Sequence, residues 1–187
     1  MDETTTTIRK RKPRPRRASD RGGVDRAVLG GAAGLRAQPP SMGEIGLSSF
    51  APYLLNRIAA RWNADLAEAL RAHDMTTTKM RVLAVLSVSS GLTVNELSVF
   101  AVTEQSTMSR TLDAMEEQGH IRRRPREGDL RVREIFITEE GRELFASVWP
   151  MMYEKFSDMF EGIDAGEYQA FLSTLHKVLA NVRKHDL

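Results

Sequence analysis

Val94–Thr138 reads VNELSVFAVTEQSTMSRTLDAMEEQGHIRRRPREGDLRVREIFIT, and the fold of the whole chain turns on this stretch. Thr93 with Glu96 three residues later forms a capping-box signature, and Leu92 and Leu97 flank it as a hydrophobic staple, so a helix starts at Val94. A second helix is expected from Thr103, taken as its N-cap, because Met108, Leu112 and Met115 recur at spacings of four and three and mark a buried face. Its leading end carries Gln105, Ser106, Thr107, Ser109 and Arg110, short polar groups with one long cation. Beyond Gly119, a helix stop, the periodicity changes. Ile121–Pro125 and Val132–Thr138 read as strands joined by a turn at Glu127, Gly128 and Asp129. Two short helices followed by a hairpin is the order of parts in a winged helix-turn-helix, whose second helix presents its N-terminal end to base edges and phosphates.

Six arginines fall between Ile121 and Arg133 (Arg122, Arg123, Arg124, Arg126, Arg131 and Arg133) against two acids. An isolated ribbon of this kind is as often a solvated charged surface as a binding element. Placed directly after a recognition helix, the same arginines suit the narrow, electronegative minor groove of DNA.

Further motifs carry a family likeness. Ser106-Thr107-Met108-Ser109-Arg110, then Gln118-Gly119-His120-Ile121-Arg122-Arg123, then Asp129-Leu130-Arg131 at the wing tip, then Ile137-Thr138-Glu139-Glu140-Gly141 together resemble the MarR family of bacterial transcription regulators. The likeness runs over about residues 47 to 185, and Asp129 with Arg131 is its most specific part. It implies a homodimer whose winged domains read a pseudo-palindromic operator on double-stranded DNA. In that picture Arg131 enters the minor groove and Asp129 braces the wing; otherwise Asp129 serves only the turn. The expected DNA-contacting set is Gln105, Ser106, Thr107, Ser109, Arg110, Arg124, Arg126, Asp129 and Arg131.

The 187-residue chain contains no cysteine, which excludes disulfides, zinc–thiolate sites and thiol redox sensing. His73, His120, His176 and His185 show no metal-ligand spacing, and no metal or other cofactor is expected; the alternative is a site assembled in the fold from His73 and acids elsewhere in the chain. No apolar run approaches the length of a membrane span, so the reading is a cytoplasmic protein with no membrane partner. Residues 1–46 hold ten Lys or Arg against five Asp or Glu, and Ile8–Arg17 (IRKRKPRPRR) packs seven basic residues around two prolines. The composition predicts a disordered basic arm that tracks phosphates or enters an adjacent minor groove. Two other readings stand beside it: a merely solvated tail, or a native start at Met42.

The remaining elements are helical. Leu54, Leu55, Ile58, Trp62, Leu66 and Leu70 form one stripe from Ser48 to about His73, and a shorter helix follows from about Thr78 to Ser89. Thr138 caps a helix reaching toward Gly162, bent rather than ended at Pro150. Asp164 with Glu167 opens the last helix, flanked by Ile163 and Tyr168 as a staple. The fold expected is therefore mainly α with a small β-wing. Dimerisation helices occupy about 47–74 and 145–187, and the winged unit about 76–140. Helices at both ends of the domain are more apolar than a small DNA-binding module requires, which fits the shared dimer core the family implies. A two-fold would set the recognition helices one DNA turn apart, roughly 34 Å.

The resulting function is a sequence-specific transcription regulator, by family default a repressor. Its release by a small aromatic acid or acyl thioester such as an acyl-CoA is implied by the resemblance. Tyr53, Arg57, Trp62, His73, Trp149, Met152, Tyr153 and Phe156 are the candidate ligand-lining residues; the alternative is that they serve the core or the dimer interface. The competing function is a nucleoid-associated or RNA-binding protein driven by the arm. No nucleophile elbow, phosphate-binding glycine loop or metal pair is present, and no enzymatic activity is expected.

Overall fold

The computed structural model describes residues 41–182, so the basic arm expected over residues 1–46 lies, up to residue 40, outside the described residues. The chain divides into two units between Arg57 and Ile58. In the first, α1 (Met42–Ile45) is a single helical turn, Leu47–Ser49 a 3-10 turn, and Ala51 begins α2 (Ala51–Arg71). Pro52 fits in the first turn of α2 because the N–H it lacks would have no intrahelical partner there. The Arg57 guanidinium lies over the Tyr53 ring, 5.8 Å from its centroid.

The second unit is built around one apolar core. Leu66 and Leu70 of α2 join Met80, Val82, Leu83 and Leu86 of α3 (Thr77–Val88), Leu97 of α4 (Val94–Phe100), and Met108, Leu112 and Met115 of α5 (Gln105–Glu117). Ile121 of β1 (Ile121–Arg126), Ile135 and Ile137 of β2 (Asp129–Ile137), and Val148 and Met152 of α6 (Glu139–Met159) complete it. The last helix, α7 (Ala165–Val182), buries none of its residues.

The local signals act as the sequence indicates at most ends. The capping box at α4 is complete: Glu96 N–H donates to the Thr93 hydroxyl and Thr93 N–H to the Glu96 carboxylate, at 3.3 and 2.7 Å. At α7 the Asp164 carboxylate accepts from Glu167 N–H at 2.9 Å while Asp164 N–H donates to the Glu167 carboxylate at 3.1 Å. Thr138 caps α6 by accepting from Gly141 N–H at 3.1 Å, and that helix continues through Pro150. Two starts differ. Helix α3 is capped by the Thr76 hydroxyl, which accepts from Lys79 N–H at 3.2 Å. Thr103 does not cap α5: its hydroxyl donates to the Ala101 carbonyl at 3.1 Å, and Glu104 takes the N-cap position without a side-chain bond.

The hairpin is antiparallel, with Ile121 opposite Ile137 and Arg123 opposite Ile135, and its register shifts between Pro125 and Arg126. Gly128 turns it at φ 84°, a left-handed conformation that glycine adopts without steric cost. Asp129, expected in the turn, is already the first residue of β2. Ile135 also bonds the segment before α4, donating to the Leu92 carbonyl at 2.8 Å and accepting from Gly91 N–H at 3.0 Å, which ties the wing to the helix-turn-helix.

Candidate nucleic-acid interface

Helix α5 is amphipathic in the sense a recognition helix requires. Met108, Leu112 and Met115 are fully buried, and the register that buries them leaves Gln105, Ser106, Thr107 and Arg110 exposed and Ser109 half-buried. The Gln105 amide is oriented by Asn95 of α4, donating to its side-chain carbonyl at 2.7 Å. Arg110 folds along its own helix, its Nε donating to the Ser106 carbonyl at 3.4 Å, so its terminal nitrogens stay available.

At the wing tip the Asp129 carboxylate accepts from Arg131 N–H at 3.1 Å. That bond fixes the backbone on which the exposed Arg131 side chain is carried. Arg124 is exposed and lies over the Phe136 ring at 5.7 Å, which stiffens a side chain otherwise free to sweep. Arg126 differs from the other candidates because its Nε is bonded to the Glu134 carboxylate at 2.5 Å, an ion pair that raises its pKa, mainly through that hydrogen bond. Arg123 is likewise spent, bridging Glu116 and Asp113 of α5 at 2.6 and 2.7 Å. Of the six ribbon arginines, these two serve the protein's own acids, Glu116 and Asp113 for Arg123 and Glu134 for Arg126.

Thr76, Lys79 and Thr111, which no sequence motif marks, line a cleft of about 280 Å³ between α3 and α5 together with Thr107, Arg110 and Ala114. The lone basic residue in the first turn of α3 was the available signal.

This arrangement has close parallels. A family model described as MarR family matches residues 73–131. A crystal structure of a MarR-family transcriptional regulator from Silicibacter pomeroyi is 44% identical, superposes with a TM-score of 0.75, and is covered over 79% of this chain and 100% of that one. The chain belongs to the MarR family. Among curated relatives, the HTH-type transcriptional repressor IacR of Pseudomonas putida is 26% identical over 143 residues, 76% of this chain and 86% of its own length. CouR from Rhodococcus jostii RHA1, solved with p-coumaroyl-CoA, is 21% identical with a TM-score of 0.64 over 75% of this chain and 99% of that one. The repressor CouR on a 23-mer DNA duplex is 24% identical with a TM-score of 0.61 over 75% and 99%. At those identities the CouR likeness is one of fold.

Within the second unit of this MarR-family chain the candidate ligand residues are only partly gathered. Trp149, Tyr153 and Phe156 form a ring-to-ring series along α6, with centroids 6.1 and 5.9 Å apart. Trp149 and Tyr153 are about half exposed, at 49% and 55%. Met152 sits in the core, Trp62 packs against it, and His73 is exposed just past the end of α2. Tyr53 and Arg57 stack on each other within the first unit.

Proposed function

We propose that this MarR-family regulator is a homodimeric, sequence-specific DNA-binding repressor. The observation that carries the reading is the division of α5 into a fully buried apolar face and an exposed polar tip, next to a wing whose Arg131 is braced by Asp129. The helix tip suits the major groove, where base edges are distinguishable, and Arg131 the minor groove beside it. CouR, a structural relative, has been solved on a DNA duplex.

Dimerisation supplies the burial that one chain does not. Phe171, Val178, Leu179 and Val182 of α7 are 39%, 42%, 58% and 66% exposed, an apolar face that the described residues leave in water. A two-fold partner of the same sequence covers it and aligns two recognition helices on one duplex. Release by an aromatic acid or acyl thioester draws support from the half-exposed aromatic series on α6 and from the p-coumaroyl-CoA bound by CouR.

The test is to sequence the DNA fragments retained by the purified protein and to measure binding to them. A shared, two-fold-related site is expected, with Arg131→Ala binding it more weakly by about 1–3 kcal/mol while dimerisation is kept. Retention of random fragments with no common site would end the sequence-specific reading. For the effector, aromatic acids and their thioesters are screened by thermal shift and by release of that site; a complete set of non-responders removes the ligand reading.

A further inference from the structure

We infer that the cleft between the first turn of α3 and the recognition helix α5 is the seat of a DNA backbone phosphate, with Lys79 as its principal cation; this rests on the DNA-binding reading above. The cleft holds about 280 Å³ and is lined by Thr76, Lys79, Thr107, Arg110, Thr111 and Ala114. Its lining includes two cations and three hydroxyls but no carboxylate. That is the chemistry of an anion site.

The state of those cations distinguishes them from the rest of the basic surface. Arg123 and Arg126 are neutralised by Asp113, Glu116 and Glu134. Lys79 instead donates to the neutral Gln118 side-chain carbonyl at 2.7 Å, which positions the ammonium without cancelling its charge. Arg110 spends only its Nε, on the Ser106 carbonyl. Among the described residues neither Lys79 nor Arg110 forms an ion pair with a carboxylate. The Thr111 hydroxyl proton is committed to the Thr107 carbonyl at 2.9 Å, whereas the Thr76 hydroxyl accepts from Lys79 N–H and keeps its own proton to give. The N-terminal amides of α3, a helix of 12 residues, add partial positive charge on the same side.

Position selects a nucleic acid over a free anion. Thr107 and Arg110 belong both to this cleft and to the exposed tip of α5, so the two surfaces are continuous. A duplex whose groove receives the tip carries its flanking strand past Lys79. The contact reads no base, because phosphates are the same at every position. It sets affinity and register, while Arg131 and the helix tip set preference.

The experiment uses the full chain, a duplex carrying the retained site and a scrambled duplex of equal length, titrated over a series of salt concentrations. Lys79→Gln is expected to weaken binding to both duplexes alike, by about three- to tenfold, and to reduce the slope of log affinity against log salt by about 0.9 per subunit. Lys79→Arg keeps the charge and is expected to restore most of the slope, which separates a phosphate contact from a general loss of structure. An unchanged slope and affinity in Lys79→Gln, with the wild type still preferring its site, overturns this inference and leaves the regulator reading standing. A loss confined to the retained site also overturns it, since that is the signature of a base contact. Inorganic phosphate is the third arm: if it raises the melting temperature of wild type but not of Lys79→Gln, while DNA binding is equal in both, the cleft takes free phosphate and not DNA. A wild type with no preference for any duplex defeats the regulator reading itself.

Discussion

Arg123 clasps Glu116 twice: its guanidinium donates to one carboxylate oxygen at 2.6 Å and its backbone N–H to the other at 2.9 Å. A further guanidinium N–H reaches Asp113, one turn back on the same helix, at 2.7 Å. Arg123 lies near the start of β1 and its acceptors on the last two turns of α5, so the clasp sets the angle between recognition helix and wing. The Arg123 and Glu116 side chains are 22% and 38% exposed, sheltered enough for these bonds to count, whereas Asp113 at 68% contributes little through the screening solvent. Arg123→Ala is expected to lower unfolding stability by about 1–2 kcal/mol. Denaturant titration checks it, and a midpoint equal to wild type would show that the clasp is only a surface pair.

The helical framework is legible because its causes are local. Thr93 with Glu96 and Asp164 with Glu167 form their capping boxes wherever the chain goes next, and the spacing of Met108, Leu112 and Met115 commits one face of α5 to the core. What is illegible depends on pairing between distant residues. A count of charges treats Arg123 and Arg126 like Arg131, but the register shift at Pro125/Arg126 and the packing of β1 on α5 bring acids to the first two only. The cleft at Lys79 joins residues from two helices about 30 positions apart in the chain, and no periodicity reports that. The N-cap at Thr103 fails for a local reason instead: its hydroxyl donates to the Ala101 carbonyl two residues back, in the turn before α5.

Gly141 sits inside α6, where alanine would ordinarily improve a helix by about 1 kcal/mol. Here a Cβ would stand 2.1 Å from the His120 carbonyl oxygen and 3.0 Å from Ile137 Cγ1. The obstructing oxygen is backbone, and it is held in place by Thr138 N–H at 3.1 Å, so it has little room to give way. Gly141→Ala is therefore expected to destabilise by about 1–3 kcal/mol, the usual cost of overpacking. A melting temperature at or above wild type would show that the contact between the wing and α6 yields more easily than the geometry implies.

Val102, in the turn between α4 and α5, adopts φ 51°, in the left-handed region that a β-branched side chain rarely enters. It is 81% exposed, so its side chain returns almost no burial to offset the strain. Asparagine tolerates this conformation better and avoids the extra unfolded-state freedom of glycine. Val102→Asn is expected to stabilise the fold by about 1 kcal/mol. Equal or lower stability of the variant in urea would mean that the turn relaxes at no cost in the wild type.

His120 gives the stability of this protein an acid-side edge near neutrality. Its Nδ1 is buried without a hydrogen-bond partner, at the junction between the end of α5 and the start of β1. Burial holds the imidazole below its ordinary value of 6.5, the nearby Lys79 charge lowers it further, and Glu140 partly opposes both. A depressed histidine means that the unfolded chain takes up a proton before the folded one does. The contribution is thus fully present above about 6.5 and is lost as pH falls from there toward the folded value. Glu96 adds a separate, lower edge: its hydrogen bonds from Thr93, backbone first, hold the carboxyl below 4.5, so its contribution is present above that value and lost as pH falls through the folded one. Unfolding free energy measured against pH should therefore decline first below about 6.5 and again below about 4.5. His120→Gln is expected to flatten the first decline and leave the second. If the variant keeps the upper decline in full, a different group titrates there and the buried Nδ1 is not its cause.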